Sequence, residues 1–163
     1  MDRLILTGAT LIYGTGAEPV TERAVVIERG RISAVIPEGR HPADATVVSL
    51  EGLTLLPGLI NCHVHLCLGG EADPVKTLGE DSPATTAIKT VLRARQTVAA
   101  GVTTVRDLGG RDGVAIALRD AVRARLVPGP RILAAGRGIC MTGGHGWRFG
   151  READGPDDVR KAV

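Results

Sequence analysis

From residue 58 onward the hydrophobic pattern switches back and forth between a strand period and a helix period, and that alternation leaves few folds open. Residues 58–66 form a mostly apolar run, and a polar stretch follows over residues 69–81. Ser82-Pro83 supplies an N-cap followed by proline at the first helical position. Ile88, Val91, Leu92, Val98 and Ala99 predict one apolar helix face, interrupted by Arg95, with the stop at Gly101. A β-branched run over residues 102–107 comes next, and Asp112 is placed to cap a second helix with the stripe Val114, Ala117, Leu118, Ala121 and Val122. Pro128-Gly129-Pro130 ends that helix, residues 131–135 read as a third strand, and a glycine-rich loop covers residues 136–150. Strands alternating with helices imply a parallel sheet with right-handed crossovers. The fold class is therefore α/β, either an open doubly wound sheet or the first part of a barrel. A barrel takes eight strands and about 250 residues, whereas this chain of 163 residues supplies three such strands.

The N-terminal third follows another rule. Residues 4–12, 24–28, 31–36, 46–50 and 54–56 are rich in β-branched and aliphatic side chains, and turns separate them. Arg29-Gly30 and Glu51-Gly52 each place a glycine where a hairpin needs positive φ. The expectation is a small antiparallel β-module over residues 1–56 ahead of an α/β body over residues 57–163. A last helix starts at Gly155-Pro156-Asp157, with Val159 and Val163 on its apolar face. About two turns without a C-cap make a poor independent helix, so an interrupted protein is expected rather than a natural ending.

Composition narrows the function classes. Arginines and carboxylates are interspersed, the net charge is +2, and no basic block marks a phosphate-tracking surface, so no nucleic-acid partner is expected. The apolar runs are too short to cross a bilayer, and the first residues lack the basic and apolar regions of a signal peptide. The expected location is cytoplasmic, with no membrane partner. Three cysteines, Cys62, Cys67 and Cys140, argue against a disulfide framework and read as buried or inert thiols. The paired glycines Gly109-Gly110 and Gly143-Gly144 lack the lysine and spacing of phosphate loops.

The chemistry sits in Pro57-Gly58-Leu59-Ile60-Asn61-Cys62-His63-Val64-His65. Side chains two apart on a strand share a face, so His63 and His65 project together, at the strand end where α/β folds place their sites. Two adjacent imidazoles can ligate one divalent cation. A bare His-x-His also occurs as two plain surface histidines. Burial at the end of an apolar strand would make an unpaired pair costly, which favours the ligand reading.

The lead Pro57-Gly58-Leu59-Ile60 into His63-Val64-His65 and the run Ala100-Gly101-Val102-Thr103-Thr104-Val105-Arg106-Asp107 resemble the amidohydrolase superfamily. Gly129-Pro130-Arg131-Ile132 and Thr142-Gly143-Gly144-His145-Gly146 place the resemblance nearest the branch of imidazolonepropionase-like and prolidase-like enzymes. It implies a (β/α)8 barrel that carries a small β-sandwich built from both chain ends. It implies metal ligation by His63 and His65 and a substrate contact, plausibly to a carboxylate, by His145. The cofactor implied is one or two divalent ions, zinc foremost, with iron, manganese and cobalt also suited to such ligands. A strand 4 lysine, later histidines and a strand 8 aspartate complete the family's site, and this chain has no counterpart of them. The activity implied is metal-assisted hydrolysis of C–N bonds in small amides, above all in dipeptides as in prolidases. Imidazolonepropionase-like cyclic amidase action, deamination and an inactive fragment are the alternatives, and a homo-oligomer remains open. Trp147 and Arg148 could line the pocket or stand exposed, and Asp107 could orient a ligating histidine, form an ion pair or cap a helix.

Overall fold

The computed structural model describes residues 3–42 and 44–163; Met1, Asp2 and Ala43, which fall within the expected N-terminal module, lie outside the described residues. Two compact units divide the chain, Met1–Pro57 and Gly58–Val163.

The first unit contains β1 (Arg3–Thr7), β2 (Thr10–Leu11), β3 (Arg23–Glu28), β4 (Arg31–Pro37), β5 (Thr46–Ser49) and β6 (Thr54–Leu55). Four of them form a sheet in the order β4-β3-β1-β5, and β2 pairs with β6 in a separate two-stranded sheet. The β3–β4 hairpin turns through Arg29 and Gly30, both at positive φ (52° and 72°), the twist that favours tight hairpins. The expectation of an all-antiparallel module is corrected here. β5 runs parallel to β1, and β6 runs parallel to β2, because the chain leaves β4 at one edge of the sheet and re-enters at the other. The predicted strand over residues 4–12 is also broken in two. Gly8 takes φ +77°, and a Cβ there would stand 3.1 Å from the Glu51 amide nitrogen, so glycine bends the chain where a side chain would be strained. Strand alternation fills both faces of the larger sheet. Ile5, Ala24 and Val26 centre one apolar cluster, and Ala9, Leu11 and Val25 centre the other.

The second unit contains β7 (Leu59–Val64), α1 (Pro74–Glu80), α2 (Pro83–Ala99), β8 (Val102–Asp107), α3 (Val114–Arg123), β9 (Arg131–Ala134), β10 (Ile139–Cys140), β11 (Arg151–Glu152) and α4 (Gly155–Ala162). β7, β8 and β9 form a parallel sheet in sequence order, with α2 and α3 as the crossovers. Ser82 caps α2 by accepting the Thr85 N–H at 3.1 Å, and Gly101 follows the helix at φ +85°. The core between helices and sheet is built on Leu66, Ala94, Val105, Leu118 and Ile132. A short parallel pair, β10 with β11, brackets the glycine-rich loop.

Of the apolar stripe predicted for α2, Val91 packs against the core, and the rest is not the face that packs. Ile88 and Leu92 are 66% and 52% exposed, whereas Thr86, Thr90 and Ala94 are fully buried. Threonine is tolerated there partly because its hydroxyl can bond back into the helix: Thr90 Oγ1 donates to the Thr86 carbonyl at 2.7 Å. Small side chains every four residues let α2 lie close to the sheet. The predicted cap of α3 is also corrected. Asp112 sits at φ +60° and pairs with Arg111, while Gly113 occupies the cap position without a side-chain bond. Of the stripe predicted for α3, Val114 and Leu118 are buried and Ala117 is exposed. The polar stretch before α2 holds the unpredicted helix α1, capped by Asp73, which accepts the Lys76 N–H at 2.9 Å.

This packing predicts opposite costs for two apolar truncations. Leu118→Ala is expected to lower unfolding stability by about 2–5 kcal/mol. Ile88→Ala is expected to stay within about 0.5 kcal/mol of the parent. Urea unfolding followed by circular dichroism measures both, and a large loss from Ile88→Ala would contradict the assigned helix face.

Candidate metal and substrate site

β7 is an edge strand and not a buried one. Leu59 and Ile60 are 51% and 67% exposed, so the His63–His65 pair ends an open strand, contrary to the buried setting expected from the apolar run. The β7–β8 register shifts between Asn61 and Val64, and the Asn61 side-chain oxygen accepts the His63 N–H at 3.0 Å. This irregularity sits at the strand end, where bulges commonly re-aim side chains. The two imidazoles stand edge to face, with centroids 5.5 Å apart and planes at 73°.

His63 is exposed, while His65 is half-buried and held on several sides. Its Nδ1 lies 2.7 Å from the Gly109 carbonyl oxygen. A carbonyl can only accept, so Nδ1 carries the hydrogen in this contact, and in that tautomer Nε2 is the nitrogen with the free lone pair. The Phe149 ring meets His65 edge to face at 5.4 Å. Gly109 itself takes φ +120°, and a Cβ there would fall 2.5 Å from the Gly138 nitrogen, so only glycine brings this carbonyl to the ring.

Asp107 lies beneath this contact, fully buried at the end of β8. Its Oδ2 accepts the Leu66 N–H at 2.8 Å and its Oδ1 accepts the Gly109 N–H at 2.9 Å. Among the described residues, Asp107 makes neither an ion pair nor a helix cap nor a direct contact with a histidine ring: both side-chain oxygens go to backbone amides. Arg106 points the other way, is exposed, and donates through Nε to the Cys62 carbonyl at 2.8 Å.

His63, His65 and His145 line one cleft of about 190 Å³, together with Leu108, Cys140 and Phe149. The structure thus brings together the three histidines singled out from sequence. The volume falls below the roughly 300–1,000 Å³ of small-molecule pockets, so it suits an ion and one end of a substrate. Trp147 and Arg148 do not line this cleft. They border a neighbouring depression with Asp73, where the Arg148 guanidinium sits 5.5 Å from the centre of the Trp147 ring. Sequence reasoning missed Phe149 and Gly109. Phe149 is the only phenylalanine of an aromatic-poor chain and lies four residues past His145, a signal that could have marked it. Nothing local in the sequence marks the Gly109 carbonyl.

The thiols divide by environment. Of the thiols expected to be buried or inert, Cys67 is buried, Cys140 is half-buried and Cys62 is exposed. Burial, reinforced by the nearby Asp107 charge, pushes the Cys67 thiol up to about 11. Among the described residues, no group of three or more His, Cys, Asp or Glu side chains is gathered to hold a metal ion, and no helix is long and apolar enough to cross a membrane.

Comparison with known proteins places this geometry. The model of the amidohydrolase family matches residues 54–163. An imidazolonepropionase of Paracoccus denitrificans (strain Pd 1222) is 47% identical over 55 residues, which is 32% of this chain and 14% of that protein. A 5-methylthioadenosine/S-adenosylhomocysteine deaminase of Symbiobacterium thermophilum is 34% identical over 84 residues, 48% of this chain and 19% of that protein. Among solved structures, a prolidase complexed with N-methylphosphonate-L-proline superimposes with a TM-score of 0.84 at 28% identity, covering 99% of this chain and 43% of its own. A Xaa-Pro dipeptidase with methionine bound in its active site gives a TM-score of 0.76 at 32% identity, covering 88% of this chain and 36% of its own. The mixed α/β fold is thus that of amidohydrolase structures, and the chain spans less than half the length of each.

Thiol accessibility tests the burial of Cys67. Brief iodoacetamide treatment at pH 8 is expected to label Cys62 first and to leave Cys67 unmodified until the fold is lost, as read by peptide mass spectrometry. Labelling of Cys67 in the folded protein at a rate matching Cys62 would contradict its burial. The raised Cys67 value also carries a sign for stability. The unfolded thiol ionises near 9.0 and the folded one near 11, so this contribution is intact below about 9 and is lost as pH rises through about 11.

Proposed function

Because the chain belongs to the amidohydrolase family, we propose that it supplies the first part of a metal-dependent site for hydrolysing C–N bonds of small amides, with His63 and His65 as two ligands of one divalent cation. The observation that carries this reading is the His65 Nδ1–Gly109 contact, which leaves Nε2 free beside the His63 ring in a shared cleft. An imidazole held this way through its other nitrogen is the usual arrangement of a metal ligand. Neutral imidazoles at this spacing suit zinc first, and one or two ions fit the proposal. Two ligands are fewer than the three or four protein ligands of zinc sites, so the remaining donors are assigned to residues outside this stretch. When bound, the cation lowers the pKa of water and polarises the scissile carbonyl.

The chain's own residues do the rest of what is proposed here. His145, across the cleft, takes the substrate carboxylate. Phe149 walls the cleft beside His65 and limits water there. β7, β8 and β9 are read as the first three strands of a (β/α)8 barrel, whose remaining strands would cover the exposed Ile60. Met1–Pro57 is read as part of a β-sandwich.

The substrate class proposed is a dipeptide, with C-terminal proline as the first choice, supported by the likeness to a prolidase and a Xaa-Pro dipeptidase. A cyclic imidazolone amide or a deaminase substrate is the second reading, supported by the curated relatives. Release of proline from X-Pro dipeptides, with neither ring opening of a cyclic imidazolone amide nor ammonia release from an adenosine-type substrate, is the expected pattern. The reverse pattern would favour the second reading, and no turnover of any of them would favour an inactive fragment.

The ligand assignment has its own test. In equilibrium dialysis against zinc, the double variant His63→Ala/His65→Ala is expected to hold metal only at the buffer level by elemental analysis, while the parent holds an excess over it. Equal zinc in the two proteins would refute the assignment.

A further inference from the structure

We propose that Asp107 is the positioning residue that sets the tautomer and orientation of His65. The inference rests on the reading of His65 as a ligand for its purpose, but not for its geometry. Asp107 is fully buried, and among the described residues no cation pairs with it. A carboxylate in that position must find hydrogen-bond donors, and its two partners are chosen with a consequence. One is the amide of Leu66, the residue directly after His65; the other is the amide of Gly109, whose carbonyl faces His65 Nδ1. The contacts close a loop: His65 to Leu66 along the chain, Leu66 to Asp107, Asp107 to Gly109, and Gly109 back to the imidazole. The Asp107 carbonyl also accepts the Ala135 N–H at 2.9 Å, which fixes the base of this loop to the end of β9. Gly109 has no side chain through which to be steered and lies in a backbone region that L residues rarely adopt. The Asp107 carboxylate holds the N–H of the Leu108–Gly109 peptide. The Gly109–Gly110 peptide, whose carbonyl meets the ring, starts at the next Cα and is held through its own N–H by the Gly136 carbonyl at 3.0 Å, so Asp107 fixes the Cα from which that carbonyl is aimed. Through that carbonyl it selects the Nδ1–H tautomer and leaves the Nε2 lone pair facing the cleft.

Asparagine in place of Asp107 keeps the shape but presents an NH2 group to one of the two backbone N–H groups, donor against donor. The loop then opens on one side, and the Gly109 carbonyl keeps the Gly110–Gly136 anchor of its own peptide but loses the restraint on the Cα from which it is aimed. A merely structural role for Asp107 would give a less stable protein with an unchanged imidazole.

The test is a long-range 1H–15N correlation of the histidine rings in the metal-free protein at alkaline pH. In the parent protein, His65 is expected to show the Nδ1–H form. Asp107→Asn is expected to give a mixture of both tautomers and to weaken zinc binding by about 10–100-fold. Val105→Ala, which removes core volume from the same strand without touching the loop, serves as the comparator. It is expected to lower the melting temperature and leave the His65 tautomer as in the parent. An Nε2–H tautomer in the parent would overturn the proposal without any variant, so it stays decidable should Asp107→Asn fail to fold. An unchanged tautomer in Asp107→Asn, or an equal shift in Val105→Ala, would also overturn it. The readout is taken without metal, so the two proposals fail separately. If His63→Ala/His65→Ala retains zinc, the ligand reading falls while the tautomer result stands.

Discussion

A carboxylate buried at the end of the middle strand organises the carboxyl edge of the parallel sheet. Asp107 accepts two backbone N–H groups through its side chain and one through its main chain, which together reach the ends of β7 and β9 and the loop after β8. Around it, the Leu108 N–H donates to the Val64 carbonyl at 2.9 Å and the Gly110 N–H donates to the Gly136 carbonyl at 3.0 Å. An open sheet end normally leaves such groups to water. Here they pair with one another, and the loops that carry His65, Gly109 and the glycine-rich segment are held as a connected set. The cleft exists because these loops cannot drift independently.

Packing below that edge uses small residues rather than large ones. Ala94, Thr86 and Thr90 allow α2 to approach the sheet, and Val105 and Ile132 fill the space from the other side. With few aromatics available, shape matching among Val, Leu, Ile and Ala carries the core. The cost is visible on the opposite faces, where Ile60, Ile88, Leu92 and Leu133 stay largely exposed. The barrel proposed above would cover such surfaces with further strands and helices.

The alternation of strands and helices was legible because it rests on local signals: the Ser82-Pro83 start, the Gly101 stop, the β-branched run before Asp107 and the Pro128-Gly129-Pro130 break. Helix faces were less legible. A stripe of Ile and Leu is the usual signal for the packed side, and α2 packs on Val91 with two threonines and an alanine, a choice made by close approach to the sheet. Parallel pairing of β5 and β6 depends on where the chain crosses the first unit, which no local pattern encodes. Of the site, His63, His65 and His145 could be read from the sequence and are found in one cleft. The sequence also allows Asp107 as an orienter of a ligating histidine, but its backbone partner at Leu66 and the Gly109 carbonyl could not be read, because those contacts are made across 41 to 44 residues of sequence.

The central claim is that two imidazoles of one strand end grip a single cation. X-ray absorption at the zinc edge of the metal-loaded protein tests it most directly. The account predicts nitrogen neighbours at about 2.0–2.1 Å with the outer-shell scattering of two imidazole rings. A first shell dominated by sulfur at about 2.3 Å, or one without imidazole scattering, would contradict it.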